Sequence, residues 1–215
     1  MKSFAVIIPV GPGDYTWEKL LPDLGKSPVE IILVGVTSAP LKFPKNIRWV
    51  RSEMGRAKQL NAGVEATQKK YLWFLHADSR LHKNTLSALL KSVRGYPHAL
   101  HYFNLHFLKD GPWLTLLNQK GVWIRSHFFG LPFGDQGFCI SRELFYKLGG
   151  FSEEARFGED HHFVWKARKN GIKVHCTGAA LSTSARKYQT HGWMKTTLRH
   201  AVLTLRQVLL ARFSH

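Results

Sequence analysis

The run Tyr71–Leu75 ends in side chains that could bind a ligand. Its five apolar or aromatic residues are followed by His76, Ala77 and Asp78, and such a run is typical of a strand that is buried on both faces. The imidazole and the carboxylate could simply mark the point where the chain leaves the sheet. They could also belong to a ligand site, because open α/β sheets bind their ligands at the carboxyl ends of parallel strands.

A second acidic segment, Glu159-Asp160, comes directly before a predicted helix that ends at Asn170. An Asp at the start of a helix is typical of an N-cap. The neighbouring His161 and His162 do not form a joint metal site, because adjacent helical residues diverge by about 100° around the axis.

Glycines and an arginine raise the question of nucleotide binding. Gly11-Pro12-Gly13 follows the first predicted strand, but a dinucleotide-binding turn needs a third glycine where the chain has Thr16, and no GxxxxGK[ST] loop occurs. Both designs are therefore excluded. Arg56 opens the segment GRAKQLNAG. Its planar guanidinium suits phosphate or ribose oxygens, although a solvated surface arginine fits the sequence as well.

Strand-like and helix-like segments alternate along the chain, which predicts an α/β fold with a mostly parallel central sheet. The predicted strands are Phe4–Pro9, Val29–Val34, Ile47–Val50, Tyr71–Leu75, Ala99–Leu108 and Ile172–Cys176. The predicted helices are Thr16–Leu24 (broken by Pro22), Gly55–Thr67, Asn84–Arg94, Asp160–Asn170 and Trp193–Phe213. In Gly55–Thr67 the small residues are expected to let the helix pack closely on the sheet. No repeat or linker interrupts residues 1–215, so one domain is predicted.

The composition points to an anionic partner. Lys and Arg number 31 and Asp and Glu 14, which gives a net charge of +17, and 44% of the residues are hydrophobic, enough for a packed core. The two cysteines, Cys139 and Cys176, make no zinc-binding pair. With no signal-peptide or transmembrane pattern, the expected location is cytoplasmic, with reduced thiols.

Five segments, in this order, resemble the family 2 glycosyltransferases of GT-A fold. They are FAVIIPV, GRAKQLNAG, FLHADSRL, FGDQGFCISRELFYKLGGFSE and GEDHHFVWKARKNG. The resemblance runs from about Phe4 to about Arg199, and it is closest to a short bacterial subgroup with Leu-His-Ala-Asp in place of an Asp-x-Asp motif. It implies a Rossmann-like GT-A domain that transfers a sugar, with inversion, from a nucleotide-diphosphate donor to an acceptor that the sequence does not identify.

The resemblance also implies roles for particular residues. Asp160 matches the position of the general base, with Glu159 beside it, and Asp78 matches a ligand of Mn²⁺ or Mg²⁺, which offsets the charge of the departing diphosphate. His191 is a second candidate metal ligand. The residues expected to bind the donor are Pro9, Asp14, Arg56, Asn61, His76 and Arg186. The loop expected to contact the acceptor, with its polar side chains exposed, is Gly134, Asp135 and Gln136, although an ordinary turn fits the sequence as well.

One position departs from the family pattern. The second strand usually ends in an Asp that binds the nucleoside, but here Gly35 stands in its place. An atypical donor, a substitute role for Asp14, or a noncatalytic GT-A-like protein that binds an anionic ligand would each account for it. A nucleic-acid-binding protein is a third alternative, but no nucleic acid is expected, because no recognised binding motif occurs and the aromatics lie in apolar runs.

The predicted helix Trp193–Phe213 is a candidate for contact with an anionic membrane surface. Lys195, Arg199 and Arg206 share one stripe, and an apolar stripe lies beside them, formed by Leu198, Val202, Leu205 and Leu209. Basic residues near a membrane surface are attracted to anionic lipids. A helix packed on the sheet with its basic face in solvent fits the same pattern, so the alternatives stay open.

Overall fold

The computed structural model describes residues 1–25, 27–40, 43–44, 47–154, 158–190, 192–198 and 202. The strands are β1 Phe4–Val10, β2 Glu30–Gly35, β3 Arg48–Arg51, β4 Tyr71–Phe74, β5 Arg80–Leu81, β6 Leu100–Phe107, β7 Phe138–Ser141 and β8 Val174–Thr183. The helices are α1 Trp17–Leu24, α2 Arg56–Glu65, α3 Thr85–Gly95, α4 Thr115–Phe128, α5 Arg142–Lys147, α6 Glu159–Lys169 and α7 Arg186–Thr190. A 3-10 turn, Gly134–Gln136, precedes β7.

The eight strands form one sheet in the order β3-β2-β1-β4-β7-β6-β8-β5. The β3-β2-β1-β4 half is parallel, β7 runs antiparallel to both of its neighbours, and β6 and β8 are parallel to each other. Strands β1, β4, β6 and β8 therefore end at the same edge of the sheet, and β7 begins there. The loops that follow these strands, together with the turn before β7, converge on this edge.

The predicted α/β class with a mostly parallel sheet is confirmed. Two details of the prediction are wrong. The helix α1 continues through Pro22, and the buried side chains of Trp17, Leu20 and Leu24 offset the hydrogen bond that the proline cannot donate. The last strand begins at Val174 and continues to Thr183, well beyond the predicted Ile172–Cys176.

Apolar side chains cover both faces of the sheet. One cluster joins α2, α5 and α6 to the sheet and includes Ile7, Phe74 and Phe163; the other joins α1 and α3 and includes Ile8, Trp73 and Phe103. A sheet covered on both faces leaves its strand ends as the place where polar groups can meet.

Helix α2 is held unusually close to the parallel half of the sheet. A Cβ added at Gly63 would lie 2.4 Å from Ile7 Cγ2 and 3.0 Å from Val34 Cγ2, so only glycine fits there without a shift. One turn earlier, the buried Gln59 donates from Nε2 to the carbonyl oxygens of Val10 (2.9 Å) and Val34 (2.7 Å). The predicted close packing is confirmed, and it fixes the start of α2 at the carboxyl ends of β1 and β2.

The predicted helix Trp193–Phe213 is described only in part. Residues 193–198 are helical, as is 202, and the rest lies outside the described residues. In the described part of the chain, no helix is both long and apolar enough to cross a membrane.

We expect the substitution Gly63→Ala to lower the free energy of unfolding by about 1 kcal/mol or more, because the added methyl overpacks the contact with Ile7. Gly121→Ala, in α4, is the matched control: nothing lies within 4 Å of the added methyl, so helix propensity alone should stabilise it by about 0.5–1 kcal/mol. Chemical denaturation measures both. Equal stability of the two variants would contradict the close packing of α2.

Candidate functional site

Arg56, the first residue of α2, lies at the centre of a polar cluster on the carboxyl edge of the sheet. Its Nε is 3.2 Å from Glu159 Oε1, and its guanidinium contacts His76 Nε2. A Cβ at Gly134 would lie 2.6 Å from an Arg56 amino nitrogen and 3.2 Å from Asp160 Oδ2. The missing side chain of Gly134 thus makes room for the contact between α2 and α6.

His76 follows β4 directly and is neutral at neutral pH. Burial lowers the pKa of His76 well below its ordinary value, and the positive charges of Arg56 and Lys187 lower it further. A neutral ring accepts a hydrogen bond from the guanidinium only through an unprotonated Nε2, so the proton resides on Nδ1. The side chain is suited to remain uncharged beside an anionic ligand.

Asp160 is a partly buried carboxylate that favours its ionised form. Its Oδ2 accepts the backbone N–H of Gly134 at 2.7 Å, and its Oδ1 accepts that of His161 at 2.9 Å. Burial alone would raise the pKa of Asp160, but His161, Arg56 and the two N–H donors together hold it below its ordinary value. The N-cap residue is Gly158, in a left-handed conformation, so Asp160 lies in the first turn of α6 and not at the cap.

Glu159 has the opposite tendency. Burial raises the pKa of Glu159, the charge of Asp160 adds to the rise, and the ion pair with Arg56 opposes it. Adjacent acidic residues on α6 therefore differ in their preference for the ionised form, a divergence that is common in acid–base sites.

Asp78 lies two residues beyond His76, beside the end of β8. Its Oδ1 accepts the hydroxyl of Thr183 at 3.2 Å, and it also accepts the backbone N–H of Ser184. Burial raises the pKa of Asp78, the bond from Thr183 and the charge of Lys187 oppose the rise, and Asp14 adds to it. The extension of β8 to Thr183, which the sequence did not predict, brings Thr183 and Ser184 to Asp78.

The first strand brings two of the predicted donor-binding residues to the same edge. Pro9 is paired with Val34 within the parallel sheet. Asp14 closes the following loop, because its Oδ1 accepts the backbone N–H of Thr16 at 2.8 Å and the hydroxyl of Thr16 at 2.6 Å. Asp14 is close enough to Asp78 for the two charges to interact.

The loop Gly134–Gly137 is not exposed in the way that the sequence predicted. Gln136 is 1% exposed. Its Oε1 accepts from Ser126 Oγ and from the backbone N–H of Phe133, and its Nε2 donates to the carbonyl of Phe103. The expectation of an exposed Gln136 is wrong, because its amide joins the turn to α4 and β6.

Asp135, the neighbour of Gln136, points toward the cluster. Its Oδ1 is buried and has no hydrogen-bond partner among the described residues. Burial raises the pKa of Asp135, and Arg125, Lys187 and Arg56 oppose the rise. A ligand hydroxyl could provide the missing partner.

Two basic residues at the site were not predicted. Arg125, on α4, lies over the Phe133 ring at 3.1 Å and donates to the carbonyl of Leu131 at 2.9 Å; burial lowers its pKa to about 10. Lys187, on α7, acts electrostatically on His76, Asp78 and Asp135. The sequence offered no signal for Arg125, and it placed Lys187 beside the predicted Arg186 without distinguishing the two.

The remaining predicted residues lie farther from the cluster or outside the description. Arg186 is exposed and donates from Nε to Ser184 Oγ at 3.0 Å. Asn61 binds the backbone of Phe151, donating to its carbonyl and accepting its N–H. His191 lies outside the described residues, and within those residues no group of three or more His, Cys, Asp or Glu side chains could share a metal ion.

The side chains of the polar cluster are suited to acid–base chemistry on an anionic ligand. One ionised carboxylate, one neutral imidazole and an arginine line a narrow opening together with apolar side chains of β4 and β7. Such a set can bind an anionic group through the guanidinium and accept a proton at Asp160.

Several solved structures are similar to this chain. Staphylococcus aureus TarS 1–349 in complex with UDP-GlcNAc superposes with a TM-score of 0.62 and 18% identity, covering 84% of this chain and 58% of that one. TarS 1–349 in complex with UDP superposes with a TM-score of 0.61 and 19% identity, covering 85% of this chain and 60% of that one. A longer TarS chain superposes with a TM-score of 0.61 and 17% identity, covering 85% of this chain and 36% of that one. This chain thus spans between 36% and 60% of the length of these TarS chains. At these identities the likeness shows the fold, and it confirms the predicted GT-A fold class.

A match to a sequence family complements the structural likeness. No curated protein matches the sequence significantly. The family model described as glycosyl transferase family 2, however, matches residues 16–151, which is more than half of the chain and runs from α1 to the end of α5. The chain therefore belongs to glycosyl transferase family 2.

Proposed function

We propose that this protein transfers a sugar from a nucleotide-diphosphate donor to an acceptor hydroxyl, with inversion and with Asp160 as the general base. The observation that carries the proposal is the partly buried Asp160, which favours its ionised form, beside Arg56 and His76 in a family 2 fold. The proposal includes membership of the subgroup with Leu-His-Ala-Asp in place of Asp-x-Asp, which the sequence of Leu75–Asp78 supports.

In this mechanism Asp160 acts on the acceptor. The carboxylate takes the proton of the acceptor hydroxyl as its oxygen attacks the anomeric carbon, and the bond from that carbon to the diphosphate oxygen breaks with its electron pair. The low pKa of Asp160 makes it a weak base, so the rate depends on how well the acceptor is positioned. Asp135, with an unpartnered oxygen, and Gly134 are the nearest candidates for that positioning.

The donor diphosphate would bind through the basic residues of the cluster. Arg56 and Lys187 supply positive charge, and the neutral His76 can donate a hydrogen bond from Nδ1. Negative charge grows on the diphosphate as it departs, so groups fixed in place before the reaction stabilise the transition state more than the ground state. Arg186, exposed one residue before Lys187, could add to this contact.

A divalent ion fits the chemistry of Asp78. Burial leaves the Asp78 charge poorly compensated, Asp14 lies within electrostatic range, and carboxylate oxygens are the ligands that Mg²⁺ and Mn²⁺ prefer. The ion would take its remaining ligands from donor phosphates, since the described residues offer no cluster of three. When bound, the ion would offset the charge of the departing diphosphate.

The nucleoside contact of this protein differs from the family pattern. A Cβ at Gly35 would lie 2.1 Å from the Trp49 indole, whose Nε1 donates to the carbonyl of Thr37 at 3.0 Å. The indole occupies the space that an aspartate at position 35 would need. This observation favours an atypical donor, and it is also the one that favours the second candidate function, a noncatalytic protein that binds an anionic ligand.

A panel of nucleotide sugars separates the two functions. We expect one or more donors to raise the melting temperature in the presence of Mn²⁺ or Mg²⁺ and to be hydrolysed slowly to the nucleoside diphosphate. Binding of anions without hydrolysis of any donor would favour the noncatalytic protein. The absence of any shift or hydrolysis across the panel would contradict both.

We expect Asp78→Asn to remove the metal dependence of donor binding, because it removes one charge and almost no volume. The thermal shift of wild type should fall when EDTA replaces the metal, whereas the variant should give the same small shift in both conditions. Glu143→Gln is the control and should behave as wild type with the metal, because this carboxylate is exposed at the start of α5, beyond the other end of β7. Equal donor binding by wild type in EDTA would show that the metal assignment is wrong.

We expect Asp160→Asn to lower turnover by about 10²–10⁴ with any donor and acceptor that react. The amide can still accept the N–H of Gly134, so the melting temperature should fall by no more than about 2–4 °C. A variant that melts like wild type and retains more than about a tenth of its turnover would leave Asp160 without a role as base.

The stability of the same variant depends on pH in a defined direction. The pKa of Asp160 is lower in the folded than in the unfolded chain, where it is about 3.9. Its charge therefore stabilises the fold above that value, and the contribution is lost as the pH falls through the folded pKa. The difference in unfolding free energy between wild type and Asp160→Asn should be constant above about pH 5 and shrink below about pH 4.

A further inference from the structure

Helix α4 has its polar and apolar sides reversed relative to an ordinary surface helix. The side that faces the protein is polar: Gln119 Oε1 accepts the backbone N–H of Phe107 at 3.2 Å, and Ser126 Oγ donates to Gln136 Oε1 at 2.8 Å. Arg125 turns inward as well, toward the polar cluster. A helix that lies between core and water normally turns its apolar stripe inward.

The outward side of α4 and of its flanking residues is apolar. Trp113 is 75% exposed and Phe128 is 73% exposed. With them, the large exposed apolar residues of this segment are Leu116, Leu117, Trp123, Ile124 and Phe129. At 100° per residue the five members that lie within the helix span less than half of its circumference, so they form one continuous stripe.

The helical residues 193–198 extend this stripe. Asn118 donates to Thr197 Oγ1 at 2.9 Å and accepts from Trp193 Nε1, which joins the two helical segments side by side. Met194 and Leu198, with Val202 one turn later, are exposed at four-residue spacing. We define the seven exposed apolar residues of α4 and its flanks, including Trp113 and Phe129, together with these three residues as the α4 surface.

We propose that the α4 surface binds to the interface of an anionic lipid bilayer, with its apolar side chains inserted among the headgroups. Single exposed apolar residues are common, but a contiguous set of this size marks an interaction site. Two tryptophans combined with Leu, Ile and Phe on one face are typical of helices that lie in the plane of a membrane. This proposal goes beyond the transfer reaction and does not depend on it.

The charges around the α4 surface favour a bilayer over other occupants. The exposed Lys120, His127 and Lys195 lie on or beside it, and neither residues 111–134 nor residues 186–215 contain an Asp or Glu. An anionic headgroup layer complements such a face. A second copy of this chain would not, because a two-fold contact brings the same positive charges together.

The position of α4 gives the binding a consequence for the site. The helix carries the apolar stripe on one side and Arg125 on the other, and Arg125 lies within electrostatic range of Asp135 and Asp160. Insertion of α4 would therefore hold the polar cluster beside the membrane surface, about one helix diameter away, roughly 10 Å.

Flotation of the full chain with vesicles tests the proposal. We expect wild type to float with vesicles of equal phosphatidylglycerol and phosphatidylcholine and to float much less with phosphatidylcholine alone or in high salt. The double variant Trp113→Ser/Phe128→Ser should lose at least about tenfold in partitioning, since two large side chains no longer leave water. Met54→Ser is the matched control, because Met54 is 73% exposed beside β3, which is five strands away from β6 in the sheet, and it should float as wild type does.

A charge variant keeps the test decisive if the double variant does not fold. Lys120→Glu should weaken partitioning by at least about fivefold, whereas Lys91→Glu, on α3 against the other face of the sheet, should have little effect. Failure of wild type to float would overturn the proposal, and so would equal losses for Lys120→Glu and Lys91→Glu, which would indicate general charge attraction. A dimer of the wild type in solution that the double variant abolishes, with flotation unchanged, would identify a second copy as the occupant.

Discussion

The rest of the site depends on the contacts of the half-buried guanidinium of Arg56. It joins α2 to the end of β4 through His76 and to the start of α6 through Glu159, and it lies against the turn at Gly134. Without it the buried Glu159 would lose its counterion, and an unpaired charge on a buried side chain is costly. The same charge lowers the pKa of both His76 and Asp160. Arg56 thus contributes both to the positions of His76 and Glu159 and to the protonation states of His76 and Asp160.

The sequence was sufficient to predict the half of the sheet that holds Arg56 in place. The parallel strands β1, β2 and β4 are short apolar runs, and the small residues of α2 indicated its close approach, which Gly63 and Gln59 now explain. Local patterns determined these elements because each is apolar where it is buried. The roles expected of Asp78 and Asp160 rested on the resemblance, and the order of the strands explains why these distant segments lie at one edge of the sheet.

Prediction from the sequence failed in two segments, helix α4 and strand β8. In α4 the buried positions are polar and the exposed ones apolar, so a search for an inward apolar stripe misses the helix, and with it Arg125 and the partner that buries Gln136. In β8 the small residues around Gly178, whose φ is +79°, hide the continuation of the strand to Thr183. Neither error could be removed by local propensity, because tertiary partners decide both segments.

The acidic residues of this basic chain are concentrated near the site. Five of the fourteen acidic residues of this strongly basic chain lie at or near one edge of the sheet: Asp14, Asp78, Asp135, Glu159 and Asp160. Burial raises the pKa of three of them, and only Asp160 has enough N–H donors and positive neighbours to stay ionised more easily than in water. A basic surface attracts anions and repels free cations, so a divalent ion would reach the carboxylates most readily when it is already bound to a phosphorylated ligand. The charge pattern therefore favours joint binding of an ion and an anionic donor over separate binding of either.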